Sequence, residues 1–122
     1  MKKIKIYSVG SCDPFKRIGS YSILLKYMDE CKRLSSVMNN TTSNRCIIKG
    51  FIEGVKLVKE PCSIEFITST PIGISSYLKK GKGVNKDLIS ELLNLIDNNN
   101  CEYIFTALEG EADSLKKIIE VA

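Results

Sequence analysis

Few residue types in this chain can take part in acid–base, nucleophilic or metal-dependent chemistry. The sequence has no histidine, which removes a histidine base, a histidine metal ligand and every Ser-His or Cys-His nucleophile pair. No two of the five cysteines form a CxxC pair, and most lie in apolar stretches, so we interpret them as small core residues. An odd number of cysteines favours free thiols in a reducing, cytoplasmic compartment. The cysteines are Cys12, Cys31, Cys46, Cys62 and Cys101.

Three acids, Glu109, Glu111 and Asp113, lie close together just before the last apolar segment. Acidic side chains at the start of a helix interact favourably with its dipole, by about 0.3–1 kcal/mol each. A capping role is therefore the favoured interpretation of this group. A metal site built from the same carboxylates is the alternative.

Thr42, Ser43 and Asn44 lie in a polar stretch that precedes an apolar pattern with helical spacing. Hydroxyls, amides and free backbone N–H groups at a helix N-terminus suit a phosphate. The same residue types are also typical helix caps. The sequence pattern is identical for the two roles, and both stay open at this point.

One basic cluster stands out in a chain whose net charge is only +4. Contact of this cluster with a nucleic-acid duplex is one interpretation, although no aromatic residues for base stacking are interleaved with it. A solvated lysine-rich loop is the other interpretation. The cluster consists of Lys79, Lys80, Lys82 and Lys86.

The elements that must position these residues can be predicted from apolar periodicity. Alternating residues predict five strands, over 3–9, 20–28, 31–38, 62–68 and 101–108. Helical spacing predicts helices over 45–60, 72–81, 85–100 and 111–122. The first strand is expected to end in a tight turn at Gly10, Pro61 to stop the first helix, and "STP" at 69–71 to cap the second.

The predicted order of elements is β-β-β-α-β-α-α-β-α. It indicates an α/β protein with a mixed five-stranded sheet flanked by helices. The length of 122 residues, of which 43% are hydrophobic, suits one domain over residues 1–122. Gly50 and Gly54 lie four residues apart in the first predicted helix, where close packing against a neighbouring element or simply a weak helix would explain them.

Several segments in this order resemble ribonuclease H type 1. "IYSVGSC" (6–12) is similar to the family's "IYTDGSC", and "NNTTSNRCIIKGFIEGVKLVKEP" (39–61) is similar to its "NTTNNRMELKAVIEGLKALKEP". "EFITSTPIG" (65–73) and "ADSL" (112–115) are similar to "LYTDSQYV" and "ADEL". The resemblance extends from about residue 3 to the C-terminus and implies an RNase H-like fold.

The activity of that family depends on four carboxylates that hold two metal ions, and the resemblance places these on Val9, Ile47, Ser69 and Asp113. Only Asp113 is acidic, and the family's histidine-bearing loop before the last helix is shortened to "LEGEADS". Two Mg²⁺ ions need several carboxylates. We therefore expect no metal, no cofactor and no enzymatic activity, with Val9 and Ile47 closing the vacant pocket as an apolar pair.

The resemblance also places Gly10, Ser11 and Cys12 beside the RNA strand, and the 42–44 stretch near the groove and a DNA-strand phosphate. The function expected first is a catalytically inactive protein that weakly binds RNA/DNA hybrid or double-stranded nucleic acid. A protein-interaction or structural module is the alternative, and an active hybrid-cleaving nuclease with a rebuilt metal site is a third. No apolar run approaches the ~20 residues of a membrane span, so no membrane partner is expected.

Overall fold

The computed structural model describes residues 1–121. Its elements follow the predicted β-β-β-α-β-α-α-β-α order, which is confirmed. The five strands are β1 (Lys2–Asp13), β2 (Ile18–Tyr27), β3 (Glu30–Met38), β4 (Cys62–Thr68) and β5 (Glu102–Ala107). The four helices are α1 (Ser43–Val55), α2 (Ile74–Lys80), α3 (Lys86–Asn98) and α4 (Ala112–Val121).

The strands form one mixed five-stranded sheet in the order β3-β2-β1-β4-β5. The first three strands pair antiparallel through short turns. Strands β1, β4 and β5 run parallel, with α1 connecting β3 to β4 and with α2 and α3 connecting β4 to β5. The central strand β1 therefore pairs with β2 on one side and with β4 on the other. The carboxyl ends of β1, β4 and β5 meet at one edge of the sheet.

The two faces of β1 meet different helices. Ile4, Ile6 and Ser8 are buried on the face that carries α1, as the alternation predicts. Val9 lies on the opposite face beside residues of α4, which contacts β1 and β2. Arg33 in the edge strand β3 forms a hydrogen bond with the last turn of α4: its Nε donates to the Ile119 carbonyl oxygen at 2.6 Å.

The main core lies between the sheet and helices α1 and α3. Phe51 and Phe66 are buried in it, with ring centroids 5.0 Å apart, and the partly buried Phe105 stacks on Phe66 with centroids 4.7 Å apart. The predicted close packing at the helix glycines is also observed. A Cβ at Gly50 would lie 2.5 Å from Ser8 Oγ, and one at Gly54 would lie 3.0 Å from Ile6 Cγ2.

Three local predictions are wrong. Gly10 is not in a turn, because β1 pairs with β2 as far as the Asp13–Ile18 pair and the chain reverses between them. The first helix ends at Val55, where the next residues form tighter turns that still bury Val58. The second helix begins at Ile74, after Gly73 with φ of 84°, instead of at the predicted "STP" cap.

The helices found in residues 1–121 include none that is long and apolar enough to cross a membrane.

Candidate nucleic-acid interface

Three adjoining cavities, which we call the furrow, run along the ends of β1 and β2. The first cavity has a volume of about 250 Å³ and extends from Val9 to Lys116 in α4. It shares Ser11 and Ser20 with the second, of about 460 Å³, and the second shares Cys12 with a third of about 330 Å³ at the start of α1. The furrow thus connects the beginning of α4 with the beginning of α1.

The first cavity gathers three of the four positions that the resemblance equates with acids. Val9 comes from β1, Ser69 follows β4, and Asp113 lies in the first turn of α4. The parallel pairing of β1 with β4 brings the first two positions to the same sheet edge. The rest of the lining is mostly small and hydroxylic: Gly10, Ser11, Ser20, Ser22, Ala112 and Lys116.

Asp113 is placed by a short connection. Residues 108–111 join β5 to α4, and the Leu108 N–H donates to the Thr68 carbonyl at 2.7 Å. The Glu111 N–H donates in turn to the Leu108 carbonyl at 3.1 Å. The end of β4 and the start of α4 are therefore linked by main-chain hydrogen bonds beside Ser69.

Ile47 does not join the other three positions. Its side chain is only 2% exposed and belongs to the main core, and it is not part of the furrow lining. Ser8, on the inner face of β1, donates to the Ile47 carbonyl oxygen at 3.0 Å, whereas Val9 faces the other way. The structure therefore does not support the predicted closure of one pocket by Val9 and Ile47.

Gly10, Ser11 and Cys12 line the furrow, as expected of predicted binding residues, but they lie within β1 and not in a turn. A Cβ at Gly10 would lie 2.8 Å from both Cys46 Cβ and the Ser43 carbonyl oxygen. Only glycine lets the first turn of α1 approach the strand so closely. Ser11 and Cys12 continue the strand, and Cys12 Sγ donates to the Thr41 carbonyl at 3.3 Å.

The polar stretch before α1 both caps the helix and lines the third cavity. Thr42 is the N-cap: its hydroxyl oxygen accepts the Arg45 N–H at 3.2 Å. Thr42 and Ser43 are exposed and line the cavity, whereas Asn44 is half-buried and lies outside the lining. The structure thus shows the capping role directly, and a contact of this stretch with phosphate stays a prediction.

The basic residues of the furrow are not those that the sequence pointed to. Lys79 and Lys80 are exposed in the last turn of α2 and are not among the furrow residues. The furrow instead has Lys116 near one end and Arg17 near the other. Each belongs only to a basic pair, Lys16-Arg17 or Lys116-Lys117. Lys116 follows Asp113 by three positions and so shares its helix face.

Of the three acids near α4, Glu111 makes hydrogen bonds at the start of the helix. Glu111 accepts a hydrogen bond from the Ser114 hydroxyl at 3.1 Å, and its carbonyl accepts the Leu115 N–H at 3.0 Å. Within residues 1–121, no group of three or more His, Cys, Asp or Glu side chains could hold a metal ion. One carboxylate in the cavity does not fit the two divalent cations of the family, and we derive no hydrolytic step through them.

Helix α1 begins at the third cavity of the furrow. It is attached to α3 by an ion pair, and it packs against β1 through Cys46. The Arg45 guanidinium pairs with both carboxylate oxygens of Asp87 in α3, at 3.0 and 2.8 Å. That hydrogen-bonded guanidinium lowers the pKa of Asp87 to about 2. Burial raises the pKa of the Cys46 thiol beneath Gly10, so this cysteine stays protonated and acts as a packing residue.

Comparison with known proteins finds no family model that matches the chain. It does find curated relatives, among them proteins named Ribonuclease H. The protein from Thermoanaerobacter sp. (strain X514) is 29% identical over 126 residues, covering 91% of this chain and 80% of the relative. The protein from Clostridium botulinum (strain Hall) is 34% identical over 83 residues, and that from Campylobacter jejuni subsp. jejuni (strain 81-176) is 36% identical over 76. These two matches cover 66% and 62% of this chain, and 56% and 52% of the respective relatives.

These relatives correct one prediction. The expectation that the chain is not an enzyme, which rested on Val9, Ile47 and Ser69, is contradicted because its relatives bear the name of an enzyme. The substitutions remain a fact of the sequence, and they do not by themselves define the activity. The identities, the mixed sheet and the order of its elements agree: the chain is a relative of ribonuclease H and has an RNase H-like fold.

Proposed function

We propose that the protein binds RNA/DNA hybrid along the furrow. The observation that carries this proposal is that three successive cavities, from the one lined by Lys116 to the one lined by Arg17, share lining residues. A nucleic-acid strand presents a row of phosphates, and adjoining cavities that each carry serine or threonine hydroxyls can follow such a row better than one isolated pocket. The name of the relatives, Ribonuclease H, supports a hybrid duplex as the first ligand to test.

The chemistry of the lining suits the phosphate backbone. Serine and threonine hydroxyls, together with backbone N–H groups at a helix N-terminus, are common donors to phosphate oxygens. Ser11, Thr42 and Ser43 provide exposed donors of this kind beside the start of α1. The exposed Arg17 would add a bidentate donor near one end and Lys116 a point charge near the other.

The furrow also contains features that limit the affinity. Asp113 and Asp13 lie along it, and two carboxylates oppose part of the attraction of two cations for phosphate. The Asp13 carboxylate is partly engaged, since its Oδ1 accepts the Phe15 and Lys16 N–H groups at 2.9 and 3.1 Å. We therefore expect weak, salt-dependent binding, to which Lys79 and Lys80 on α2 would add a second contact region.

The test is a fluorescence anisotropy titration with a labelled RNA/DNA hybrid, double-stranded RNA and double-stranded DNA. Titrations at about 50 mM and about 200 mM salt should show affinity for the hybrid that falls with salt. The variants Arg17→Gln and Lys116→Gln should each weaken binding roughly 3–10-fold and reduce the salt slope by about one. Electrophoresis of the RNA strand after incubation with Mg²⁺ or Mn²⁺ reports cleavage in the same samples.

Lys3→Gln is the matched control, because Lys3 is an exposed lysine at the opposite end of β1. It removes the same charge as Lys116→Gln and should leave the affinity nearly unchanged. Equal weakening by all three variants would mean that only net charge matters, and the furrow would lose its role. Absence of hybrid binding at the lower salt would overturn the proposal and favour a protein-interaction module.

A further inference from the structure

Two of the five cysteines lie in direct contact, far from the furrow. Cys62 Sγ and Cys101 Sγ are 3.7 Å apart. Cys62 is the first residue of β4, and Cys101 immediately precedes β5. The first registered pair of these parallel strands is Ser63 with Glu102, so each cysteine stands one residue before that pair.

This position is compatible with a covalent bond between the two sulfurs. Neighbouring strands are about 4.8 Å apart, and disulfides join residues whose Cα atoms are about 4.4–6.8 Å apart. The sulfur atoms would have to approach from 3.7 Å to the bonding distance of about 2.05 Å. Rotation of the two side chains can supply such a movement while the strands keep their places.

We propose that Cys62 and Cys101 form a site of reversible oxidation, at which a low-molecular-weight disulfide such as oxidised glutathione converts the two thiols into an intramolecular disulfide. The proposal is independent of nucleic-acid binding, because neither cysteine lines the furrow. Its basis is the contact between two thiols at adjacent strand ends, one of which solvent can reach.

The order of the two chemical steps follows from exposure. Cys101 is partly exposed, whereas Cys62 is fully buried. The Cys101 thiolate would attack one sulfur of oxidised glutathione, breaking its S–S bond and releasing one glutathione thiolate. The Cys62 thiolate would then attack Cys101 Sγ and release the second. The two protein thiols lose two protons and two electrons, and oxidised glutathione gains them as two glutathione thiols.

The second step should be slow at neutral pH. Burial is the main cause that raises the pKa of Cys62 to about 12, and its hydrogen bond with Cys101 adds to this shift. Of the charged groups that act on the thiol, Glu60 raises the pKa further and Lys2 lowers it. Because the thiolate fraction rises about tenfold per pH unit well below the pKa, closure of the disulfide should accelerate with pH.

The disulfide would link the start of β4 covalently to the start of β5, two strands that hydrogen bonds alone join in the reduced protein. The two residues are separated by 39 positions, so the disulfide would close a loop that contains α2 and α3. Such a closure restricts the unfolded chain. We expect the oxidised protein to melt roughly 5–10 °C above the reduced protein.

The experiment is a time course of the reduced protein with oxidised glutathione at several pH values. Each sample is quenched with an alkylating reagent and analysed by intact and peptide mass spectrometry. The expected product retains three of the five alkylatable thiols, is lighter by two hydrogen atoms before alkylation and contains a Cys62–Cys101 linked peptide. A mixed disulfide on Cys101 should precede it and should persist longer at lower pH.

Two variants make the result decisive. Cys101→Ser, at a partly exposed position, should fold and form no internal disulfide. Cys31→Ser, the matched control at another partly exposed cysteine, should form the disulfide as the unaltered protein does. Five alkylatable thiols after prolonged oxidation, or a disulfide that instead joins Cys12 to Cys46, would overturn the proposal. So would an unchanged melting temperature of the linked protein.

Discussion

The two faces of β1 differ in how much change they can accept. On the inner face, Ser8 is fully buried and donates to the α1 backbone, and the glycines of α1 leave no free space. On the outer face, Val9 is half-exposed and borders a cavity of about 250 Å³. The alternation of one strand thus separates a face set by close packing from a face on which side-chain identity can change without rebuilding the core.

Gly50→Ala should give the largest effect, because it tests the packed face. The new Cβ would lie 2.5 Å from Ser8 Oγ and 2.8 Å from Ile23 Cγ2, both of which are fully buried. We expect the free energy of unfolding to fall by about 2–3 kcal/mol in total. The cost of the clash thus outweighs the gain of about 1 kcal/mol from the higher helix propensity of alanine. Urea denaturation measures the change.

A double-mutant cycle with Ser8→Ala identifies the cause of this loss. Ser8→Ala alone removes one hydrogen bond and should lower the free energy of unfolding by about 1 kcal/mol. In the double mutant the nearest clashing atom is gone. The loss in the free energy of unfolding should therefore be smaller than the sum of the losses in the two single mutants. Strict additivity would mean that contact with Ser8 is not the source. Gly54→Ala, where the nearest atom is 3.0 Å away, should be much milder.

A second comparison uses the same substitution on the two sides of the strand. Val9→Thr places a hydroxyl beside the open cavity, and Val55→Thr places one in a fully buried site of α1. The first should change the free energy of unfolding by less than about 0.5 kcal/mol. The second should reduce it by about 1–2 kcal/mol, because burying an unpaired hydroxyl is unfavourable. Thermal and urea unfolding curves compare the two, and equal losses would contradict the contrast between the faces.

A smaller effect than that of Val55→Thr is expected at the attachment of α1 to α3. The pKa of Asp87 is lowered to about 2, first by its hydrogen bond with Arg45, so the pair stabilises the fold above about pH 4. This contribution should disappear as the pH falls towards about 2. Because Asp87 is largely exposed, we expect Asp87→Asn to reduce the free energy of unfolding by less than about 1 kcal/mol at neutral pH.

Urea unfolding of wild type and Asp87→Asn across this pH range measures the contribution. The two curves should converge at low pH. A difference that persists at about pH 2 would show that another interaction of Asp87 is responsible.

The sequence predicted the order of elements because apolar periodicity reports local structure well. The alternation over residues 3–9 predicted β1, in which Ile4, Ile6 and Ser8 are buried on one face. Gly10 was misread as a turn, because a glycine that allows close approach of another element looks the same in sequence as one that allows a turn. The end of α1 was misplaced for a related reason: the apolar pattern continues to Val58 through turns that are no longer α-helical.

The furrow was only partly predictable. The resemblance located Val9, Ser69 and Asp113 by their family positions, and the cavity joins them. Arg17 and Lys116 were missed, because each reaches the furrow through the tertiary arrangement of a hairpin turn or a helix, which the short basic pairs in the sequence do not reveal. The predicted binding roles of residues 10–12, 42–44, Lys79 and Lys80 stay predictions.

The brevity of the connection between β5 and α4 has a consequence for recognition. Residues 108–111 are held by main-chain hydrogen bonds to the end of β4 and to one another, so the wall that bears Asp113 is already ordered before any ligand arrives. A ligand would then lose little affinity to the freezing of this segment. Amide hydrogen exchange at Leu108 and Glu111 should accordingly be slow in the free protein and should slow little further when the furrow is filled.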